Sequence, residues 1–99
     1  MVDDGELKCE ICKIFGNENR LKILLILAKG EKTVTKILSA TNISQSAVSQ
    51  HLAMMKSKGV LKTRKVGSYI YYSIKYPQIM DAYKIMRSVT EKIRGAKNV

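Results

Sequence analysis

The chain has 99 residues, enough for one domain with little apolar surface to spare, so an interface with a second copy would add to its stability. Eighteen Lys and Arg against eight Asp and Glu leave a net charge of +10, which points to a polyanionic partner, nucleic acid or an anionic membrane surface. The longest apolar run, Ile23 to Ala28, is far too short to span a bilayer, and the acidic start Met1-Val2-Asp3-Asp4-Gly5-Glu6 lacks the apolar stretch of a secretion signal. The expected compartment is the cytoplasm, where thiols stay reduced.

Residues 5–15 read as a first helix, with Leu7, Ile11, Ile14 and Phe15 on one stripe. Gly16-Asn17 breaks it, and Asn17 is a candidate N-cap for a second helix running to about Lys29. That helix is apolar almost all round, through Leu21, Ile23, Leu24, Leu25, Ile26, Leu27 and Ala28, which places it at the buried centre. Gly30 ends it. A short third helix from about Thr33 to Ala40 follows, with Val34, Ile37 and Leu38 inward, and Thr41-Asn42 makes a tight turn. Ser44 caps a fourth helix that stops at Gly59.

From Val60 the period changes. Leu61–Val66 and Tyr69–Ile74 are two short β-runs with Gly67-Ser68 between them as a hairpin turn. Tyr76-Pro77 then opens a last helix, Pro77 near its first turn. Ile79, Tyr83, Met86, Val89 and Ile93 line one of its faces, widened by Ala82 and Ile85, and this is more apolar surface than a helix capping a small domain needs. The tail from Gly95 is expected to fray. The order is mainly α with one β-hairpin, in a single domain over residues 1–99. Two short helices joined by a tight turn and followed by a hairpin describe a winged helix-turn-helix.

The fourth helix carries the chemistry. Val48, Leu52 and Met55 recur at i, i+4 and i+7 and point to the core. Gln45, Ser46, Ser49, Gln50 and Ala53 lie on another face, small and amide-bearing, where a solvent face would carry Lys and Glu. Gln pairs bidentately with adenine and Ser bonds to either kind of base, so this face suits base edges in the major groove. Ser44, Gln45, Ser46, Ser49 and Gln50 sit in the first two turns, the end that meets bases in helix-turn-helix proteins, where free backbone N–H groups also favour phosphate. His51 projects nearer the core and suits either a structural bond or a phosphate contact. Lys56 and Lys58 near the helix end, and Lys62, Arg64 and Lys65 beside the Gly67 turn, can follow phosphates. Tyr69, Tyr71 and Tyr72 read as packing residues of the hairpin. No Gly-rich phosphate loop, carboxylate pair or supported nucleophile suggests an enzyme, and no cofactor is called for.

Three stretches resemble the ArsR/SmtB family of dimeric prokaryotic repressors: Phe15-Gly16-Asn17-Glu18-Asn19-Arg20-Leu21-Lys22-Ile23-Leu24, Ser44-Gln45-Ser46-Ala47-Val48-Ser49-Gln50-His51-Leu52, and Gly59-Val60-Leu61 with Gly67-Ser68-Tyr69-Ile70-Tyr71-Tyr72. The resemblance implies a homodimer formed through the first helix and the 76–95 helix, and a palindromic double-stranded DNA operator. Metal-sensing members resembled here carry two cysteines on the third helix, where this chain has Thr33 and Thr35, and Thr is a poor ligand for thiophilic metals. A second family site uses Asp and His pairs on the last helix, where Asp81 stands without a His. Neither usual metal site is expected.

Cys9-Glu10-Ile11-Cys12 remains, with its thiols about one turn apart. The pair suits a redox switch, a zinc site shared by two copies, or a core thiol beside an incidental one. The reading that follows is a sequence-specific, homodimeric repressor, redox control through Cys9 and Cys12 being one route to an effector the sequence does not name. The alternative is a winged-helix architectural or protein-interaction module that binds nucleic acid without base specificity.

Overall fold

The computed structural model describes residues 11–97. Its helices are α1 (11–15, the described part), α2 (Glu18–Leu27), α3 (Val34–Ser39), α4 (Gln45–Ser57) and α5 (Gln78–Lys97). Strands β1 (Leu61–Val66) and β2 (Tyr69–Ile74) form an antiparallel hairpin between α4 and α5.

Side chains set the helix starts. The Asn17 side chain accepts from the Asn19 and Arg20 amides at 2.9 and 3.1 Å and opens α2. Thr33 accepts from the Lys36 amide to open α3, and Ser44 from the Ala47 amide to open α4. Each oxygen satisfies a donor that the first helical turn leaves without a partner. Asn17→Ala should lower stability by about 1 kcal/mol, read as a shift in the urea midpoint.

Every element but β2 contributes a buried side chain to the core, and Tyr72 and Ile74 of β2 pack against it. Ile14 of α1, Ile23, Leu24 and Leu27 of α2, Ile37 of α3, Val48, Leu52 and Met55 of α4, Val60, Leu61 and Met80 are buried together. Phe15 stacks on Tyr83 at 6.0 Å between ring centroids and so brings α1 against α5. The turn between α3 and α4 is held by Thr41, whose hydroxyl donates to the Ile37 carbonyl and accepts from the Ile43 amide.

The hairpin runs in the register Leu61↔Ile74 to Val66↔Tyr69, leaving Gly67-Ser68 as a two-residue loop. Gly67 has φ +60 and Ser68 does not share a positive φ, which fits a hairpin turn taking glycine at its first central position. One residue of the α2–α3 loop bridges to this two-stranded sheet. Lys32 and Tyr72 exchange both backbone hydrogen bonds, at 3.0 and 2.8 Å, so the α2–α3 loop is laced to the root of the hairpin.

The structure departs from the sequence pattern at two helices. The pattern predicts a central buried helix, apolar almost all round; α2 does supply Ile23, Leu24 and Leu27 to the core, yet Leu25 is exposed and Leu21 and Ile26 are half-buried. Ile26 packs against that core, while Leu25 and Ile26 line an open groove with Ser39, Ala40 and Thr41. The last helix extends past Gly95 to Lys97. Beyond Tyr83, every side chain of α5 up to Ala96 is exposed, so its last turns stand clear of their own domain. No helix among the described residues is long and apolar enough to cross a membrane.

Candidate nucleic-acid interface

The α3–α4 pair and the hairpin present one polar surface. Burying Val48, Leu52 and Met55 turns the opposite side of α4 outward, so Ser44, Gln45, Ser46, Ser49, Gln50 and Ala53 are all exposed. The Ser44 and Ser46 hydroxyls lie 3.4 Å apart, and Ser44 is held by its capping bond. Among these residues no charged side chain interrupts the face, and its amides and hydroxyls can each donate or accept. Lys56 follows at the far end of α4 and is exposed.

His51 does not join this face. It is half-buried, and its Nδ1 accepts a 3.4 Å hydrogen bond from Arg20 Nε. Partial burial, then the charge of Arg20, hold the imidazole below the ordinary histidine value and favour its neutral form. The structure therefore gives His51 a protein partner where the sequence left a phosphate contact open.

The wing cations separate into two kinds. Lys62 and Lys65 are exposed on β1. Arg64 is committed within the protein: its Nε donates to Glu31 Oε2 at 3.2 Å, its Nη2 on the same edge donates to Glu31 Oε1, and its guanidinium lies 5.3 Å from the Tyr71 ring centre. The bond from Arg64 holds the Glu31 carboxyl below its usual range and raises the Arg64 value in turn. This forked pair, beside the Lys32–Tyr72 strand pairing, fixes the wing against the α2–α3 loop. Tyr72 packs on the core as expected, whereas Tyr69 is 64% exposed at the hairpin tip.

Thr33, at one of the positions where the resemblance implies a metal-ligating thiol, uses its hydroxyl to cap α3. Cys12 is free and exposed; Cys9 lies outside the described residues, so the spacing of the two thiols does not enter the geometry. Sequence reasoning missed Arg20 and Glu31. Both stand more than thirty residues from the side chains they hold, a separation no local pattern reports.

Helix, turn, capped helix and basic hairpin, with an uncharged polar face exposed between them, define a winged helix-turn-helix protein of the DNA-binding class. Known proteins place it further. The family described as bacterial regulatory protein, arsR family, matches residues 17–63. The transcriptional repressor PagR of Bacillus anthracis is 38% identical over 90 residues, covering 90% of this chain and 86% of PagR. The chain belongs to the arsR family of bacterial regulatory proteins. The crystal structure of M. tuberculosis Rv0081 superposes with a TM-score of 0.87 at 26% identity, covering 100% of both chains. The solution structure of the homodimeric winged helix-turn-helix domain of Mb0332 from Mycobacterium bovis gives 0.75 at 27% identity, covering 92% of this chain and 89% of that one. Against two other curated relatives the chain spans 63% and 64% of their length.

Proposed function

We propose that this chain is a homodimeric, cytoplasmic transcriptional repressor that lays α4 in the major groove of a palindromic operator. The observation that carries this reading is the exposed, uncharged face of Gln45, Ser46, Ser49 and Gln50 at the capped start of α4. A purely electrostatic binder gains nothing from amides and hydroxyls there, whereas a base reader needs them. Lys56, Lys62 and Lys65 supply phosphate contacts, and Arg64 supports the wing from behind. The exposed apolar residues Ile85, Met86, Val89 and Ile93 of α5 provide the dimer surface, and Mb0332, a structural relative, is described as homodimeric.

The test begins with selection of duplexes from a random-sequence pool, followed by fluorescence anisotropy of the selected duplex and a scrambled one. Wild type is expected to prefer the selected duplex strongly. Gln45→Ala combined with Gln50→Ala should shrink that preference by at least about 30-fold, because each of the two bidentate base pairings lost per protomer discriminates by about 1–3 kcal/mol. Lys65→Ala should instead weaken both duplexes alike and flatten the salt dependence by about two per dimer, one for each phosphate the lysine no longer neutralises. Equal binding of selected and scrambled duplexes by wild type would overturn the reading.

A further inference from the structure

A single side chain ties α4 to the far side of the domain. Arg20, in the first turn of α2, donates from Nε to His51 Nδ1 at 3.4 Å and from Nη1 to the Lys13 carbonyl at 2.9 Å. Its own backbone amide is held by the Asn17 side chain that starts α2. One guanidinium thus joins the end of α1, the start of α2 and the middle of α4. The chemistry suits the place. Lys13 offers one of the last carbonyls of α1, which have no partner within the helix and lie at its negative pole. Guanidinium is permanently charged, rigid and planar, and carries donors on separate edges.

His51 directly follows Gln50, so whatever fixes the imidazole fixes the helix turn that presents Ser49 and Gln50. Base reading tolerates errors of only about 0.5 Å in the placement of the reading groups. We propose that Arg20 is a positioning residue for DNA reading: by holding His51 to the end of α1, it sets how α4 presents its base-reading face. This rests on the reading of α4 given above.

The strut has a built-in sensitivity. Nδ1 accepts only while it carries no proton. Arg20, from α2, is the charged side chain that acts on the imidazole. α1 offers the same guanidinium a neutral carbonyl, and no carboxylate pairs with His51 among the described residues. The fold holds His51 below its ordinary value of 6.5, so the neutral form and its bond are complete above that value. They are lost as pH falls through the lowered folded value, when two cations come to face each other. If His51 met phosphate instead, acid would strengthen binding.

The experiment uses the full chain and the selected and scrambled duplexes, from about pH 8 down to about pH 4.5, a range reaching well below the ordinary histidine value. Arg20→Gln is expected to weaken the selected duplex about tenfold, on the scale of one charge-assisted hydrogen bond, with the scrambled duplex within about twofold. Wild type should lose its preference in acid to a similar degree. His51→Asn keeps an acceptor oxygen near the Nδ1 position, so it should bind like wild type at high pH and stay level in acid. Thermal melts confirm that the variants are folded; were Arg20→Gln unfolded, the wild-type and His51→Asn pH profiles decide. Unchanged preference in folded Arg20→Gln overturns the proposal, as does binding that strengthens in acid or an acid loss that persists in His51→Asn. Equal binding of both duplexes by wild type overturns the function reading and this proposal with it, whereas the other outcomes overturn this proposal alone.

Discussion

Val89→Asp on α5 should leave a folded monomer that binds the selected duplex about 10²- to 10⁴-fold more weakly than wild type, the range lost when two linked binding units are separated. Val89 is 48% exposed and lies outside the core, so the substitution removes little from the domain itself. Its neighbours on the same face, Met86 and Ile93, sit three and four residues away, and Ile85 flanks them. A helix whose last turns touch nothing of their own domain, yet carry such a stripe, is stable when another surface covers it. A carboxylate buried at the centre of that surface would have no partner. Sedimentation equilibrium reads the oligomeric state and anisotropy the affinity. A Val89→Asp protein that remains dimeric would move the interface elsewhere.

Leu52→Ala should lower stability by about 2–5 kcal/mol, the range for truncating a fully buried leucine. Leu52 is 1% exposed and packs among Ile23, Leu24, Val48 and Met55 in the common core. That cost is a large share of the total stability of about 5–15 kcal/mol expected for a domain. Urea unfolding should show a lower midpoint with an unchanged slope. DNA binding should fall only as far as the unfolded fraction rises, because Leu52 faces away from the reading surface. A specific loss of operator preference in fully folded Leu52→Ala protein would mean that the core side chain also sets the pose of α4.

Much of this molecule is legible along the chain because its instructions are local. Asn17 and Ser44 are caps by residue type and position, and Gly67-Ser68 between two β-runs sets the hairpin register. The period of Val48, Leu52 and Met55 orients α4 and thereby its polar face. Periodicity shows which side chains are apolar, not which are covered. For that reason α2 reads as apolar almost all round and central, while Leu25 faces a groove. The polar bonds that hold the interface are invisible in the sequence for a related reason. Arg20–His51 and Glu31–Arg64 join residues far apart in sequence, and each partner alone reads as an ordinary surface cation, anion or histidine. The Lys32–Tyr72 strand pairing involves one residue of a loop and carries no pattern at all.

That strand pairing also limits the mechanical reach of the wing. Tyr72 pairs across the hairpin with Thr63, so the two-stranded hairpin is bridged to the α2–α3 loop at that single rung. Only the pairs Arg64–Tyr71, Lys65–Ile70 and Val66–Tyr69 extend further, about 10 Å of ribbon at the rise of a β-strand. At about 3.4 Å per step of duplex, such an arm spans about three base pairs. Nuclease protection should therefore extend only a short way past the bases covered by α4, with sharp outer edges, because a short arm braced at its root has little room to wander along the groove.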